Sequence, residues 1–376
     1  MKLEGGKISS SHLTFLIVGF ILGSSLILSP GMAAKHDAWL AVLVGLGEGL
    51  VFTLIYLTLA MRFPGKTLVQ YNDIIFGPYL GKVISLGYLW FFFHLGSLVL
   101  RNFGDFLTSM IYPETPIAVF IILTTLVCAS AVRNGIEVIT RCSLILVVFT
   151  VFSVLGTIIL LAQDMKFTNL LPVLDLPLKE FIKASHSAAT FPFGETVVFL
   201  MVIAFLDNVK QAKISTLTAL IVAGLLLVLS LLRNTAVLGV TEGIHVYPSY
   251  QVIRLIKIAK ILTRLEIIVA VNLLTMGFLK ISVCYYATVL GLAQLLNLRS
   301  YLPLVFPVGV LMVSLSILQF DSVIENIFFA FEIYPYYSLP FEVGFPLLSL
   351  IIAIIRGIPK QEEEKGNRKQ DSVDNI

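Results

Sequence analysis

Long apolar runs alternate with short polar stretches along the whole chain, and each run approaches the ~20 residues that a helix needs to cross a bilayer. The pattern predicts an all-α, polytopic membrane protein of about ten spans, near 11–33, 38–61, 82–110, 116–132, 138–162, 181–207, 214–238, 264–292, 301–319 and 335–356. Charges at the ends, as in "MRFPGK" at 61–66, frame the plainest of them. Between the last two, "FDSVIENIFFAFEIYPYY" at 320–337 mixes carboxylates with aromatics and is expected to lie along the interface. In "QVIRLIKIAKILTR" at 251–264, Arg254, Lys257, Lys260 and Arg264 recur at helical spacing opposite Val252, Leu255, Ile258 and Leu262. That pattern predicts an amphipathic helix on the membrane or over a vestibule.

Two spans are written irregularly. In "FPFGETVVFLMVIAFL", 191–206, proline, glycine and Glu195 stand at the head of an apolar run. Proline removes a backbone donor, and a carboxylate is costly in lipid. A break at this depth survives only against protein or a water-lined cavity, so it marks either a cavity or a proline kink shielded by neighbours. The matching irregularity is "GFILGSSLILSPG" at 19–31. Interrupted segments opening two halves of five spans are the pointer to a transporter-like site between inverted repeats, in the manner of the leucine-transporter fold. The halves are placed at about 8–162 and 175–356 of a membrane domain spanning 1–358. Gly23, Ser24, Ser25 and Leu26 from span one, with Phe191, Pro192, Phe193, Gly194 and Glu195 from span six, are the expected ligand-binding residues. Loose backbone ends there present N–H groups to a carboxylate and carbonyls to an ammonium.

Composition supports the class: 57% of residues are hydrophobic and only 13% charged, against roughly 25% charged in a soluble domain. No basic patch with interleaved aromatics suggests nucleic acid. Cys128, Cys142 and Cys284 lie in or beside apolar runs without a CxxC pair, as expected of reduced, packed thiols. The first 30 residues imitate a signal peptide but lack a small-residue cleavage site, so they are read as a retained span. Lys and Arg are more numerous in the loops on the side of the N-terminus, which predicts both termini in the cytoplasm. The polar tail 359–376 lacks an apolar face and is expected to be disordered. The five His are scattered, with no HExxH and no phosphate-binding glycine loop. Neither an enzyme nor a metal site or cofactor is expected.

The buried charges supply the candidate coupling or gating residues. Lys280, in the middle of span eight, either snorkels or faces a partner beside the span-one break, where its ammonium could stand in for a coupling cation. Arg101 and Asp105, four apart on one helix face, can pair for structure or for function. Glu48, between Gly47 and Gly49, is either a protonated packing residue or lines a water path. Glu195 caps the inner half of span six, contacts ligand or cation, or is inert. Tyr88, Phe92, Tyr285 and Tyr286 could wall a pocket, though packing is the commoner role for so aromatic a chain.

The opening "ISSSHLTFLIVGFILGSSLILSPGMAAKHDAWLAVLVG" at 8–45, with its Asp37-Ala38-Trp39, the "FPFGE" at 191–195 and the lysine of "GFLKISVCYYA" at 277–287 together resemble the endospore germination permeases. These are the B-type membrane subunits of nutrient germinant receptors, in the amino acid–polyamine–organocation transporter superfamily. The similarity covers essentially the whole chain. It implies a subunit that binds a small nutrient, such as an amino acid, in the spore inner membrane. It also implies an A-type subunit and a C-type lipoprotein as partners. One departure is Gly23-Ser24-Ser25-Leu26, which lacks the second glycine of the superfamily's usual break and bears on ligand size. A secondary permease coupled to protons or cations, and a water or ion conduit, share the expected fold and stay open on sequence alone.

Overall fold

The computed structural model describes residues 5–256 and 265–358. The tail 359–376 and Lys257, Lys260 and Arg264 of the amphipathic segment lie outside the described residues. Among the described residues all regular structure is helical. The helices are α1 (Ser10–Ser25), α2 (Ala38–Arg62), α3 (Leu68–Phe76), α4 (Leu80–Met110), α5 (Ile117–Arg133), α6 (Ile136–Leu160) and α7 (Leu178–Ala188). They continue with α8 (Ala212–Leu238), α9 (Pro248–Arg254), α10 (Ile267–Leu295), α11 (Leu302–Leu318), α12 (Val323–Phe328), α13 (Tyr334–Leu339) and α14 (Phe345–Ile355).

Six helical runs are long and apolar enough to cross a membrane, and α1, α5 and α11 are shorter apolar helices. With the broken segment that starts at α7, they account for the expected ten crossings. The last run corrects the interfacial expectation for 320–337. Five-residue π turns join α12, α13 and α14 into one helix over Val323–Ile355. The acid- and aromatic-rich stretch is therefore the first half of span ten. Asn326, Tyr334, Ser338 and Glu342 are buried against protein, whereas Asp321 and Glu325 at its start stay exposed.

Burial sorts the spans into layers. α1, the middle of α10 and the second half of α4 are almost wholly enclosed, and α4 packs along α10 while α1 packs on α6, α8 and α10. The outer helices show apolar faces, with Ile145, Phe152 and Ile159 of α6 and Phe306 and Leu311 of α11 exposed. Such a surface is stable only against hydrocarbon. Short polar devices fix the ends. Thr67 and Gln70 form a capping box on α3, and Arg62 donates to the carbonyls of Ala353 (3.1 Å) and Ile358 at the end of span ten. The N-terminal segment pairs with the end of span six: Ile8 N donates to Phe205 O and Asp207 N to Ile8 O, both at 3.0 Å.

Candidate functional site

The two irregular stretches are real breaks, placed differently from the expectation in one case. In span six, α7 gives way to a π turn in which Phe191 has extended backbone (φ −111°, ψ 109°), and tight 3-10 turns carry the chain from Gly194 to Phe205. In span one, Gly23, Ser24 and Ser25 complete the last turn of α1. The helix ends at Leu26, and the irregular stretch runs through Gly31, whose φ is +71°. Glycine and serine lower helix propensity without ending a helix, whereas Pro30 cannot continue one. The break therefore falls towards the proline.

Lys280 and Glu195 meet between these breaks. Lys280 Nζ donates to Glu195 Oε2 at 2.5 Å, and the two side chains are 0% and 1% exposed. The other carboxylate oxygen of Glu195 accepts from Tyr334 OH at 3.0 Å. The ammonium lies over two aromatic faces, 5.2 Å from the centre of Phe20 and 5.0 Å from that of Phe191, which stabilises a desolvated cation. Gly23 makes room for the lysine stem: a Cβ there would stand 2.6 Å from Lys280 Cδ. Thus α1 supplies the space, α10 the cation, the span-six break the anion and span ten the hydroxyl.

Two residues without a place in the sequence-based site complete it. Glu342, from span ten, is fully buried, and neither of its carboxylate oxygens has a hydrogen-bond partner among the described residues. It packs against Gly194, where a Cβ would overlap its carboxylate. Tyr56 of α2 donates to the backbone oxygens of Gly194 (3.2 Å) and Glu342 (2.6 Å), so the break's carbonyl end is already satisfied by protein. Glu342 carried a usable signal, since a lone carboxylate within an apolar span is a functional-site hypothesis by default.

Beside the ion pair lies a cavity of about 20 Å³, lined among others by Ser24, Asn102, Phe191, Glu195, Asn326 and Tyr334. The hydroxyls of Ser24 and Ser25 are buried without a hydrogen-bond partner among the described residues. The volume suits one water-sized particle and is too small for an amino acid. Phe191, on its wall, contacts Phe331 (ring centres 6.5 Å apart). Phe331 in turn lines a vestibule of about 730 Å³ shaped by the loops at 29–38, 169–172 and 239–244.

The other candidates sit elsewhere. Arg101 Nε donates to Asp105 Oδ1 at 2.9 Å, and Nη1 donates to the carbonyls of Ile317 (3.1 Å) and Phe320 (2.6 Å) at the end of α11. The pair is a clamp between α4 and the α11 terminus, where carbonyls lack intrahelical partners. It touches the cavity only through Asn326, which donates to Asp105 Oδ2 and Asn102 Oδ1, both at 2.8 Å. Glu48 is half-exposed and pairs with His186 Nδ1 at 2.7 Å, so it is not a buried packing carboxyl. Only one flanking glycine is closely packed: a Cβ at Gly49 would overlap Phe193, whereas Gly47 faces open space. Tyr88, Phe92, Tyr285 and Tyr286 are buried packing residues; Tyr88 contacts Phe92 and Phe345, Tyr286 contacts Tyr301, and none lines the cavity. Cys128 and Cys284 are buried thiols, Cys142 is half-buried, and all three are unbridged.

Comparison with known proteins sharpens this picture. The profile of a family described as spore germination protein matches residues 7–323. Spore germination protein KB of Bacillus subtilis is 32% identical over 371 residues, covering 97% of this chain and 99% of its own. Spore germination protein YndE of the same organism is 22% identical over 77% of this chain and 81% of its own. Among solved structures, a sodium-coupled sialic acid symporter aligns with a TM-score of 0.67 at 10% identity, covering 93% of this chain and 89% of its own. A nucleobase–cation symport family transporter in a closed conformation aligns at 0.61 and 13% identity, covering 94% and 92%. Both are transporters of the leucine-transporter-like fold.

Proposed function

Because the chain belongs to the family of spore germination proteins, we propose that it is the B-type membrane subunit of a nutrient germinant receptor, binding a small nutrient between its two helix breaks. The observation that carries this reading is the Lys280–Glu195 pair, buried at the junction of the breaks. Together these two groups form an internal zwitterion. A free amino acid carries the same two charges and can exchange partners with them, its ammonium going to Glu195 and its carboxylate to Lys280. Exchange keeps every buried charge paired, which a neutral ligand of the same size would not do. Ser24 adds an unengaged hydroxyl on the cavity wall.

A cavity of about 20 Å³ must widen before an amino acid enters. Binding is thereby coupled to a shift of the wall formed by Phe191 and span ten. A differential affinity between the two shapes of about 1–3 kcal/mol suffices to transmit the signal. In this reading the repeats at about 8–162 and 175–356 move against each other. The chain resides in the spore inner membrane with both termini on the core side, and an A-type subunit and a C-type lipoprotein receive the shift.

A thermal-shift screen of amino acids on the purified chain tests the site, since a ligand that binds only the folded state stabilises by mass action. At least one amino acid is expected to raise the unfolding midpoint of the wild type and to fail on Lys280→Met. An equal shift in both proteins overturns the assignment. Uptake of the same labelled amino acid into vesicles decides between sensing and transport: concentrative uptake by this chain alone would make it a permease.

A further inference from the structure

Arg233 lies inside the protein. It is 3% exposed, near the end of α8. Its guanidinium makes four contacts, all to neutral side chains: Nε and Nη2 donate to Asn234 Oδ1 at 3.2 and 2.8 Å, Nη2 to Ser230 Oγ at 3.0 Å and Nη1 to Thr157 Oγ1 at 2.7 Å. No carboxylate among the described residues comes within the 4.0 Å of an ion pair with it. Glu242 is the acid whose field reaches it, but that carboxylate accepts the Thr235 hydroxyl at 2.7 Å. A buried guanidinium left with neutral partners keeps a large desolvation penalty that only a negative charge can offset.

The guanidinium borders a cavity of about 20 Å³ between α6, α8, α9 and α10, lined also by Ser153, Thr157, Ser230, Ser249 and Asn272. Among the described residues, Arg233 is the only ionised side chain on that wall. Donors are available there. Ser249 Oγ accepts from Asn234 Nδ2 at 2.9 Å and Ser230 Oγ accepts from Arg233, so each keeps its own hydroxyl hydrogen. An Arg side chain has five N–H groups, and four are used. The volume fits one water-sized particle, which excludes an amino acid or a phosphate. Leu26 and Ile27 complete the wall, while Ser24 and Leu28 face the ion-pair cavity. The span-one break thus separates the two cavities.

We propose that this cavity is a binding site for a monatomic anion of the size of chloride, held by Arg233, Ser230 and Ser249, and that its occupancy braces the break of span one. A water molecule fills the space but leaves the charge uncompensated, so the two occupants differ in their dependence on the salt's anion.

The test uses the full chain in lipid nanodiscs at constant ionic strength, with sodium gluconate replaced stepwise by sodium chloride. The unfolding midpoint of the wild type is expected to rise saturably with chloride and equally with bromide. Arg233→Gln is expected to abolish the rise. Ser249→Ala is expected to weaken the apparent chloride affinity about tenfold, the equivalent of one hydrogen bond to a charged group. If Arg233→Gln does not fold, Ser249→Ala and Arg233→Lys decide the matter by their shifted half-saturation. A wild type indifferent to the replacement, or variants with an unchanged chloride response, overturns the proposal.

Discussion

Lys280 and Glu195 are each costly to bury alone and tolerable together. Removing one partner of a buried pair leaves an uncompensated charge and costs about 3–5 kcal/mol, whereas replacing both with apolar or neutral groups of similar volume costs far less. Glu195→Gln and Lys280→Met are therefore each expected to lower stability strongly, and the double variant to recover much of the loss. Chemical denaturation of the four proteins gives the coupling energy, and additive losses would mean that the pair is not energetically real. Both residues stood out in the sequence as charges within apolar runs, but their contact did not. They are 85 positions apart, and no periodicity links a helix break to a residue in the middle of α10. Arg233 was the opposite case. It lies close to the end of an apolar run, and distance from a span's end cannot tell a charge that reaches water from one turned inward onto Asn234 and Thr157.

At the scale of elements, α2 and the span-six break show how a pair of similar residues separates into two roles. Gly47 and Gly49 flank Glu48, and the sequence treats them alike. Gly49 takes the close approach of Phe193, while nothing lies within 4 Å of a Cβ at Gly47. Gly47→Ala is expected to be neutral or to stabilise by up to about 1 kcal/mol, from helix propensity. Gly49→Ala is expected to destabilise by about 1–3 kcal/mol through overpacking. Unfolding midpoints of the two variants check this, and equal effects would contradict the contact. The Arg101–Asp105 clamp belongs to the same scale. Arg101→Met should free the carbonyls of Ile317 and Phe320 and strand Asp105, a loss of about 3–5 kcal/mol. Asp105→Asn added to it should restore part of the stability, and no restoration would place the effect elsewhere. Eight of the ten spans were legible to within a few residues, because a lipid-facing helix must be apolar over its length and charged at its ends; in span one the apolar run continues past the end of α1 at Ser25 through Leu26, Ile27 and Leu28. The start of span ten was not legible, since it mixes exposed carboxylates such as Glu325 with residues satisfied by protein such as Asn326 and Tyr334, and so mimics an interfacial segment.

The whole molecule has a vestibule on each side of its closed centre. One, of about 560 Å³, opens on the side of the N-terminus and is lined by Lys7, Thr67, Gln70, Asp73, Gln294 and Asn297. The other, of about 730 Å³, adjoins the central cavity through the neighbouring residues Phe331 and Ala330. The end of span six, with Phe205 and Leu206, forms part of the wall of the N-terminal vestibule, and that end is tied down. Ile8 donates to Phe205 O and accepts from Asp207 N, a short pairing that any swing of Leu206 has to break. Ile8→Pro deletes the donor while keeping the acceptor. One backbone hydrogen bond has a net worth of about 1 kcal/mol, roughly a fivefold change in the population of the opened state. In a Cys142→Ser background, where the remaining cysteines are buried, Leu206→Cys is therefore expected to react with a water-soluble thiol reagent about fivefold faster when Ile8 is proline. On the proposed reading, an amino acid bound at the centre is expected to shift the labelling rate in both proteins. Equal rates with isoleucine and with proline at position 8 would mean that the N-terminal segment rests on the bundle without holding it, and that opening on the N-terminal side is governed elsewhere.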